Sequence, residues 1–86
     1  MEAAATRFFC VYILRSQSDP SRHYTGFTED LHERLRHHNS GACPHTTKFR
    51  PWQFKTCMAF ADRDRALAFE RYLKSHCGRT FAAKHL

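Results

Sequence analysis

The sequence predicts an α+β domain with a small three-stranded antiparallel sheet flanked by helices, in the order β-β-α-β-α-α. Three observations support this fold class: a continuous apolar run at residues 8–14, a cluster of turn residues after it, and helical spacing of apolar residues near the C-terminus. The chain has 86 residues and contains no repeat or linker. We therefore expect a single domain over residues 1–86.

Two strands are predicted first. FFCVYIL, residues 8–14, is rich in strand formers, and its uninterrupted apolar character is typical of a central strand covered on both faces. The turn residues SQSDPS follow, and HYTGF, residues 23–27, then predicts a second strand. Residues 8–28 are therefore expected to form an antiparallel hairpin, with Gly26 where a bulge or close backbone approach is needed.

A helix and a basic loop are predicted next. Thr28 can cap the helix, whose apolar positions Leu31 and Leu35 define a narrow inner stripe. The helix is expected to end at residues 39–41, where a glycine suits a left-handed cap. Residues 42–51, ACPHTTKFRP, contain too many breakers for regular structure and are predicted to form a loop.

The C-terminal half predicts a third strand and two helices. WQFKTCMAF, residues 52–60, alternates well enough for a strand. Asp62 is expected to open a helix that runs to about Ser75. Apolar residues follow one face of this helix at spacings of three and four, namely Ala66, Phe69 and Leu73. Gly78 is expected to stop the helix, and RTFAAKHL, residues 79–86, to add a last short helix.

The charge balance favours a polyanionic partner. The chain has 14 Lys and Arg against 8 Asp and Glu, which gives a formal net charge of +6, and it has seven His in addition. Such a balance is typical of nucleic-acid binding, and a solvated basic surface without a partner is the plainer alternative. No apolar run of about 18 residues is present, so a membrane partner is not expected.

The cysteines and the N-terminus favour the cytoplasm. MEAAATRFF has no basic segment followed by a long apolar stretch, so no secretory signal is expected. The cysteines are widely spaced, so we expect reduced thiols that mostly serve in packing. The pairs Cys43 with His45 and His76 with Cys77 fit no structural zinc pattern.

Five polar residues distant in sequence are candidates for one site. Tyr12 and Tyr24 lie on the two hairpin strands and can share one side of the sheet, while Arg34 and His38 share a helix face. Glu70 lies on the second long helix. Each has a plainer interpretation: a core tyrosine, a solvated helix face, or a surface pair with the lysine four residues on, worth about 0.2–0.5 kcal/mol.

The spacing of these residues is more specific than any one of them. Residues 10–12, CVY, are followed by residues 24–26, YTG, then by Arg34 eight residues after the glycine, and by Glu70 on a later helix. This pattern resembles the GIY-YIG nuclease superfamily. It is most similar to the small single-domain bacterial GIY-YIG proteins, which are related to excinuclease-type and structure-specific endonucleases. The resemblance covers nearly the whole chain.

The resemblance implies metal-dependent cleavage of a phosphodiester bond, in DNA more than in RNA. Tyr12 would be the general base or would position the attacking water, Tyr24 would support that water or the phosphate, and Arg34 would offset charge on the phosphoryl oxygens. His38 is the alternative proton acceptor, since an ordinary imidazole pKa of about 6.5 suits neutral pH. Glu70 would be the single protein ligand of Mg²⁺ or Mn²⁺.

Other residues are expected to contact nucleic acid or to support the site. They are Asn39, Thr46, Lys48, Arg50 and Lys74. Asn39, Thr46 and Lys48 could serve as substrate contacts or as scaffold. In the same loop His45 and Thr47 stand where the small relatives often have Tyr and Arg, which leaves the loop contacts open. No base-reading element is evident, so recognition of backbone or shape rather than sequence is expected.

Two other functions stay open from sequence alone. The fold could bind nucleic acid and cut poorly, or only with a partner protein, because nothing in the chain is left over for an added specificity domain. An interaction domain that uses exposed aromatic and cysteine residues is the third possibility. A homodimer is also open, because dimerising would give a small domain a second cut.

Overall fold

The structure, a computed structural model, describes residues 7–86 and confirms the predicted fold class. Its one sheet has three antiparallel strands in the order β2-β1-β3. The elements in chain order are β1 (Phe9–Ser16), β2 (His23–Thr28), α1 (Leu31–Asn39), a 3-10 turn (Thr47–Phe49), β3 (Trp52–Phe60), α2 (Arg63–Lys74) and α3 (His76–His85). None of the helices described over residues 7–86 combines the length and apolarity needed to cross a bilayer.

The first strand is central because both of its faces are apolar. Its alternate residues point to opposite sides of the sheet, which divides the core in two. Val11 and Ile13 pack with residues of α2 and α3, while Tyr12 and Leu14 pack with residues of α1 and with Trp52. The prediction of a central strand from an unbroken apolar run is confirmed.

Helix α1 begins at a different cap from the one predicted. Thr28 is still part of β2, where it pairs with Cys10, so it lies too early to cap the helix. The N-cap is Asp30, whose side chain accepts a hydrogen bond from the backbone N–H of Glu33 at 3.0 Å. Thr28 instead shapes the turn, since its hydroxyl accepts from the Asp30 N–H at 3.0 Å. Gly41, with φ of 85°, follows the helix as predicted.

Helix α2 ends at Lys74, so the prediction that Gly78 stops it is wrong. Ser75 separates the two helices and caps α3, because its hydroxyl accepts from the Gly78 N–H at 3.1 Å. Gly78 lies buried in the first turn of α3, and a Cβ there would collide with the backbone carbonyl of Tyr72. The glycine is needed for close packing at this corner rather than to end a helix.

The cysteines differ in burial more than the sequence predicted. All four, which lie within the described residues 7–86, are free thiols. Cys10 is buried and Cys43 is half-buried, but Cys57 and Cys77 are exposed, so the prediction of packing roles is wrong for those two. Burial raises the pKa of the Cys10 thiol, which therefore stays protonated at neutral pH.

Replacing Gly78 by Ala is expected to lower the free energy of unfolding by about 1–3 kcal/mol, because the new methyl group meets backbone that cannot turn aside. Helix propensity alone predicts the opposite, a gain of about 0.5–1 kcal/mol. Urea denaturation followed by circular dichroism measures the difference.

The matched control for this experiment is Ala83→Gly at an exposed position of the same helix. It should lose about 1 kcal/mol from propensity alone. A Gly78→Ala protein at least as stable as the wild type would show that the corner between α2 and α3 has room for a side chain.

Candidate active site

Tyr12 reaches the α1 side of the sheet from the middle of β1, and only 2% of the residue is exposed. Its cross-strand partner on β2 is Gly26. A Cβ at Gly26 would collide with the Tyr12 ring and hydroxyl, so the ring lies against β2 backbone that only glycine leaves uncovered. The predicted close approach at Gly26 is confirmed.

A buried chain of hydrogen bonds begins at this hydroxyl. Tyr12 Oη lies 3.0 Å from His38 Nε2, and His38 Nδ1 lies 2.9 Å from Thr46 Oγ1. The Thr46 hydroxyl donates onward to the backbone carbonyl of Cys43 at 3.4 Å. Because that bond uses the only hydroxyl proton, Thr46 accepts from His38 Nδ1–H, and Nε2 accepts from the Tyr12 hydroxyl.

The charge state of His38 agrees with this direction. Burial, together with the smaller effects of the positive charges of Arg34 and His37, lowers the pKa of His38 to about 4. The imidazole is therefore neutral at neutral pH and offers a lone pair at Nε2. The ordinary value of 6.5, which made His38 a candidate base in the sequence, does not apply in the fold.

Tyr12 is held as a neutral phenol. Burial raises the pKa of its hydroxyl well above the ordinary value, and the nearby Tyr24 raises it further. Arg34 lowers the pKa, as the sequence suggested, but its effect is smaller than that of burial, and the Glu70 charge acts against it. At neutral pH the residue therefore donates a proton to His38 and is no free base.

The other predicted residues surround this pair. The Tyr24 ring lies 4.8 Å from the His38 ring and 6.4 Å from the Tyr12 ring, measured between centroids. Arg34 is exposed on α1, one turn before His38. Glu70 approaches from α2 with 17% of its side chain exposed. Four separate elements thus bring together the five residues that the sequence singled out.

Glu70 is the candidate metal ligand. Its Oε2 lies 3.1 Å from Lys74 Nζ, and that ammonium lies 5.9 Å from the centroid of the Tyr24 ring. Within residues 7–86 no group of three or more His, Cys, Asp or Glu side chains could hold a metal ion. One hard oxygen ligand fits Mg²⁺ or Mn²⁺, which complete their shell with water and substrate phosphate.

Hydrogen bonds to Trp52 hold the loop after α1 against the rest of the site. The Asn39 side chain accepts from the Trp52 N–H at 2.6 Å and donates to its carbonyl at 3.1 Å, while the indole N–H donates to the Thr46 carbonyl at 2.8 Å. Asn39 and Thr46 thus bond to protein atoms. Lys48 and Arg50 are exposed on this loop.

Trp52 and Ser16 are positioning residues that the sequence analysis missed. Trp52 is 4% exposed, and the Ser16 hydroxyl donates to the Phe49 carbonyl at 2.6 Å, which holds the 3-10 turn against β1. The available signal for Trp52 was a single tryptophan at the first position of a predicted strand. The Ser16 contact joins residues 33 apart, which no local pattern reveals.

Comparison with known protein families gives a match that includes the residues of this site. A family model described as the GIY-YIG catalytic domain matches residues 8–82, which include all five clustered side chains. The chain belongs to the GIY-YIG family. This confirms the family named from the sequence, and with it the prediction that the chain is an enzyme of this nuclease family.

Similar curated proteins are subunits of structure-specific endonucleases. SLX1 homolog 1 of Trypanosoma cruzi is 44% identical over 73 residues, which cover 76% of this chain and 14% of that protein. The slx1 subunit of Talaromyces marneffei is 41% identical over 69 residues (73% and 18%), and SLX1 of Scheffersomyces stipitis is 38% identical over 80 residues (85% and 24%). This chain thus matches only 14–24% of the length of these three. They are eukaryotic, whereas the sequence pattern most resembled small bacterial members.

Stability is expected to fall as the pH drops from 6.5 towards 4. Over this range the unfolded chain binds a proton at His38 that the folded chain does not, because the folded pKa of about 4 lies below the ordinary 6.5. The loss should amount to about 3 kcal/mol, and little further change from His38 is expected above 6.5. Urea titrations across this pH range measure it.

The variant for comparison is His38→Gln, which keeps hydrogen-bonding groups but cannot titrate. Its stability should depend less steeply on pH by that same amount. The pKa of His23 is also lowered, chiefly by burial, but His23 contributes equally to both proteins. Equal pH dependence in the two would show that His38 is not held neutral by the fold.

Proposed function

We propose that this chain is a divalent-metal-dependent endonuclease domain that hydrolyses phosphodiester bonds in DNA. The main support is the buried Tyr12–His38–Thr46 chain beside one guanidinium, Arg34, and one carboxylate, Glu70, in a domain of the GIY-YIG family. The names of the relatives, which are structure-specific endonuclease subunits, support cleavage that depends on nucleic-acid structure.

Tyr12 is proposed to orient the attacking water. Its proton is donated to His38 Nε2 at 3.0 Å, so its oxygen keeps lone pairs that can accept a hydrogen bond from water. As that water loses a proton towards the phenol oxygen, the phenol proton passes to Nε2. The coupled transfer avoids a free phenolate, which burial disfavours.

Arg34 has two proposed effects. Its exposed guanidinium can bind phosphate oxygens and offset the charge that develops on them during attack. In the free protein its charge also helps to lower the pKa of His38. A phosphate bound to Arg34 would cancel part of that charge and raise the pKa of His38, which makes it a better proton acceptor when substrate is present.

Glu70 is proposed to hold Mg²⁺ or Mn²⁺ through the carboxylate that now pairs with Lys74. The bound cation would supply charge neutralisation at the phosphoryl oxygens. Lys74, four residues along α2, is then free to contact a phosphate. Tyr24, whose ring lies beside both His38 and the Lys74 ammonium, would support the water or the scissile phosphate.

Recognition is proposed to depend on the backbone or shape of the DNA rather than on its sequence. The exposed cations Lys48 and Arg50 follow α1 and can meet backbone phosphates, which position a duplex without identifying bases. We propose DNA rather than RNA as the substrate. The relatives are named as subunits, which supports a partner protein for this chain as well, and a homodimer stays a prediction.

Glu70→Gln is expected to lower the rate of metal-dependent cleavage at least about 100-fold, because the neutral amide is a poor ligand for a hard cation. The assay uses labelled duplex, nicked, flapped, branched and single-stranded DNA, and the same forms of RNA, with Mg²⁺, Mn²⁺ or EDTA.

Glu33→Gln is the matched control, since it removes the same charge from an exposed α1 position that pairs with Arg36. It should cut like the wild type. Cleavage by Glu70→Gln at the wild-type rate would refute the metal-ligand assignment. Salt-sensitive DNA binding with no cutting by any of the three proteins would instead mean that this chain is a binding module of the same fold.

Tyr12→Phe is expected to lower kcat about 10²- to 10⁴-fold with little change in KM, since the ring still packs but the water loses its acceptor. The free energy of unfolding should fall by about 1–3 kcal/mol, because the buried His38 Nε2 loses its donor. Single-turnover cleavage and urea denaturation give the two quantities.

The control is Tyr72→Phe, which removes the same hydroxyl from a residue that is 41% exposed. Neither its rate nor its stability should change appreciably. A Tyr12→Phe protein that cuts at the wild-type rate would exclude Tyr12 from the chemical step.

A further inference from the structure

A basic cavity of about 420 Å³ lies on the side of the sheet opposite α1, between the strands and α3. Its floor is apolar and includes Ile13 and Leu73. Its other lining residues include three basic side chains, His23, Lys55 and Arg79. None of the sequence predictions and none of the proposed catalytic steps uses these three residues.

The sheet directs two of these basic side chains to the same face. His23 pairs with Arg15 across β2 and β1, two residues from the pair of Thr25 with Ile13, so its side chain shares the face of Ile13. Lys55 is the residue that the pairing of β1 with β3 skips, between the Ile13 and Leu14 pairs. This bulge is what turns Lys55 towards the cavity.

Arg79 is fixed in place by the end of α2. Its Nε and Nη2 donate to the Lys74 carbonyl at 3.2 and 2.9 Å, which satisfies the last turn of that helix. A guanidinium has five N–H groups, so this arrangement leaves donors for a ligand while it restricts the side chain. An oriented guanidinium of this kind is suited to phosphate oxygens.

The cavity has an excess of positive charge. None of its lining residues, all within the described part of the chain, is acidic. Burial lowers the pKa of His23, and the charges of Lys55 and Arg15 lower it further. The charges of Lys55 and Arg15 thus disfavour a proton on His23, and a bound anion would offset their effect.

A second cavity connects this site to the proposed active site. It is lined by His23 and Arg79, which also line the basic cavity, and by Tyr24 and Lys74. Lys74 pairs with Glu70, and Tyr24 lies against His38. The two cavities therefore share His23 and Arg79, and together they extend along β2 from Lys55 to Lys74, the residue paired with the proposed metal ligand.

We propose that the basic cavity binds a backbone phosphate of the nucleic acid that is cut, adjacent to the scissile phosphate. This inference rests on the proposed function. Lys55, His23 and Arg79 would donate to the phosphate oxygens, and the apolar floor formed by Ile13 and Leu73 would contact the neighbouring sugar. The site extends the backbone contacts of the domain to the face of the sheet opposite the loop after α1.

The test measures equilibrium binding of a labelled branched DNA in EDTA, so that no cutting occurs, over a series of salt concentrations. The double variant Lys55→Gln with Arg79→Gln should bind about tenfold more weakly, and the slope of log K against log salt should become shallower by about 0.9, the value for one phosphate contact. Arg65→Gln, an exposed α2 residue outside both cavities, is the control and should keep the wild-type slope.

The single variant Lys55→Gln is included in case the double variant misfolds. Arg79 also supports the end of α2, so its replacement could destabilise the fold, whereas Lys55 is exposed on β3. It should shift the affinity in the same direction by less. A wild-type slope in both variants would overturn the cavity proposal and leave the proposed function standing. Absence of any salt-sensitive binding by the wild type would overturn both.

Titration with inorganic phosphate distinguishes two anions that the cavity could bind: free phosphate and a backbone phosphate of nucleic acid. NMR titration with phosphate alone should move the backbone amide signals of His23 and Lys55 only weakly. If phosphate saturates the cavity while the double variant keeps the wild-type DNA slope, the site takes free phosphate and the nucleic-acid proposal fails.

Discussion

The hydrogen bond from Tyr12 to His38 is the constraint on which the rest of the site depends. The Tyr12 hydroxyl belongs to a residue that is only 2% exposed, and leaving this hydroxyl without a protein partner would cost about 1–3 kcal/mol. The partner must come from another element, so α1 has to place His38 over β1, within 3.0 Å. The ring also needs Gly26 on the neighbouring strand, since any side chain there would displace it.

The hydrogen bond between Tyr12 and His38 also affects the protonation states of these two side chains. Because His38 is fully enclosed, it must find a partner for each nitrogen, and Thr46 provides the second. The loop that holds Thr46 is in turn fastened by Trp52. Packing that satisfies buried polar groups therefore also keeps the imidazole neutral and the phenol of Tyr12 protonated, which is the state from which the proposed proton relay starts.

Charge on the two sides of the sheet is arranged differently. On the α1 side, Arg34 lies close to buried groups whose pKa values it shifts, so a bound phosphate would change both charge and proton affinity at once. On the opposite side, Lys55 and Arg79 border a cavity with no acidic lining residue. Under the two proposals, the scissile phosphate would lie on one side of the sheet and the adjoining backbone on the other, with Lys74 between them.

The sequence by itself indicated the order of the strands and helices and, through the resemblance to the GIY-YIG family, four candidate site residues. Periods of 2 and 3.6 are local properties, so strands, helix faces and the spacing of Tyr12, Tyr24, Arg34 and Glu70 are visible without a fold. Only the tertiary structure decided that His38 has a pKa near 4, that Gly78 packs closely against the backbone of Tyr72, and that Lys55 faces a cavity. The physical reason is that burial, hydrogen-bond partners and bulges arise from contacts between segments distant in the chain.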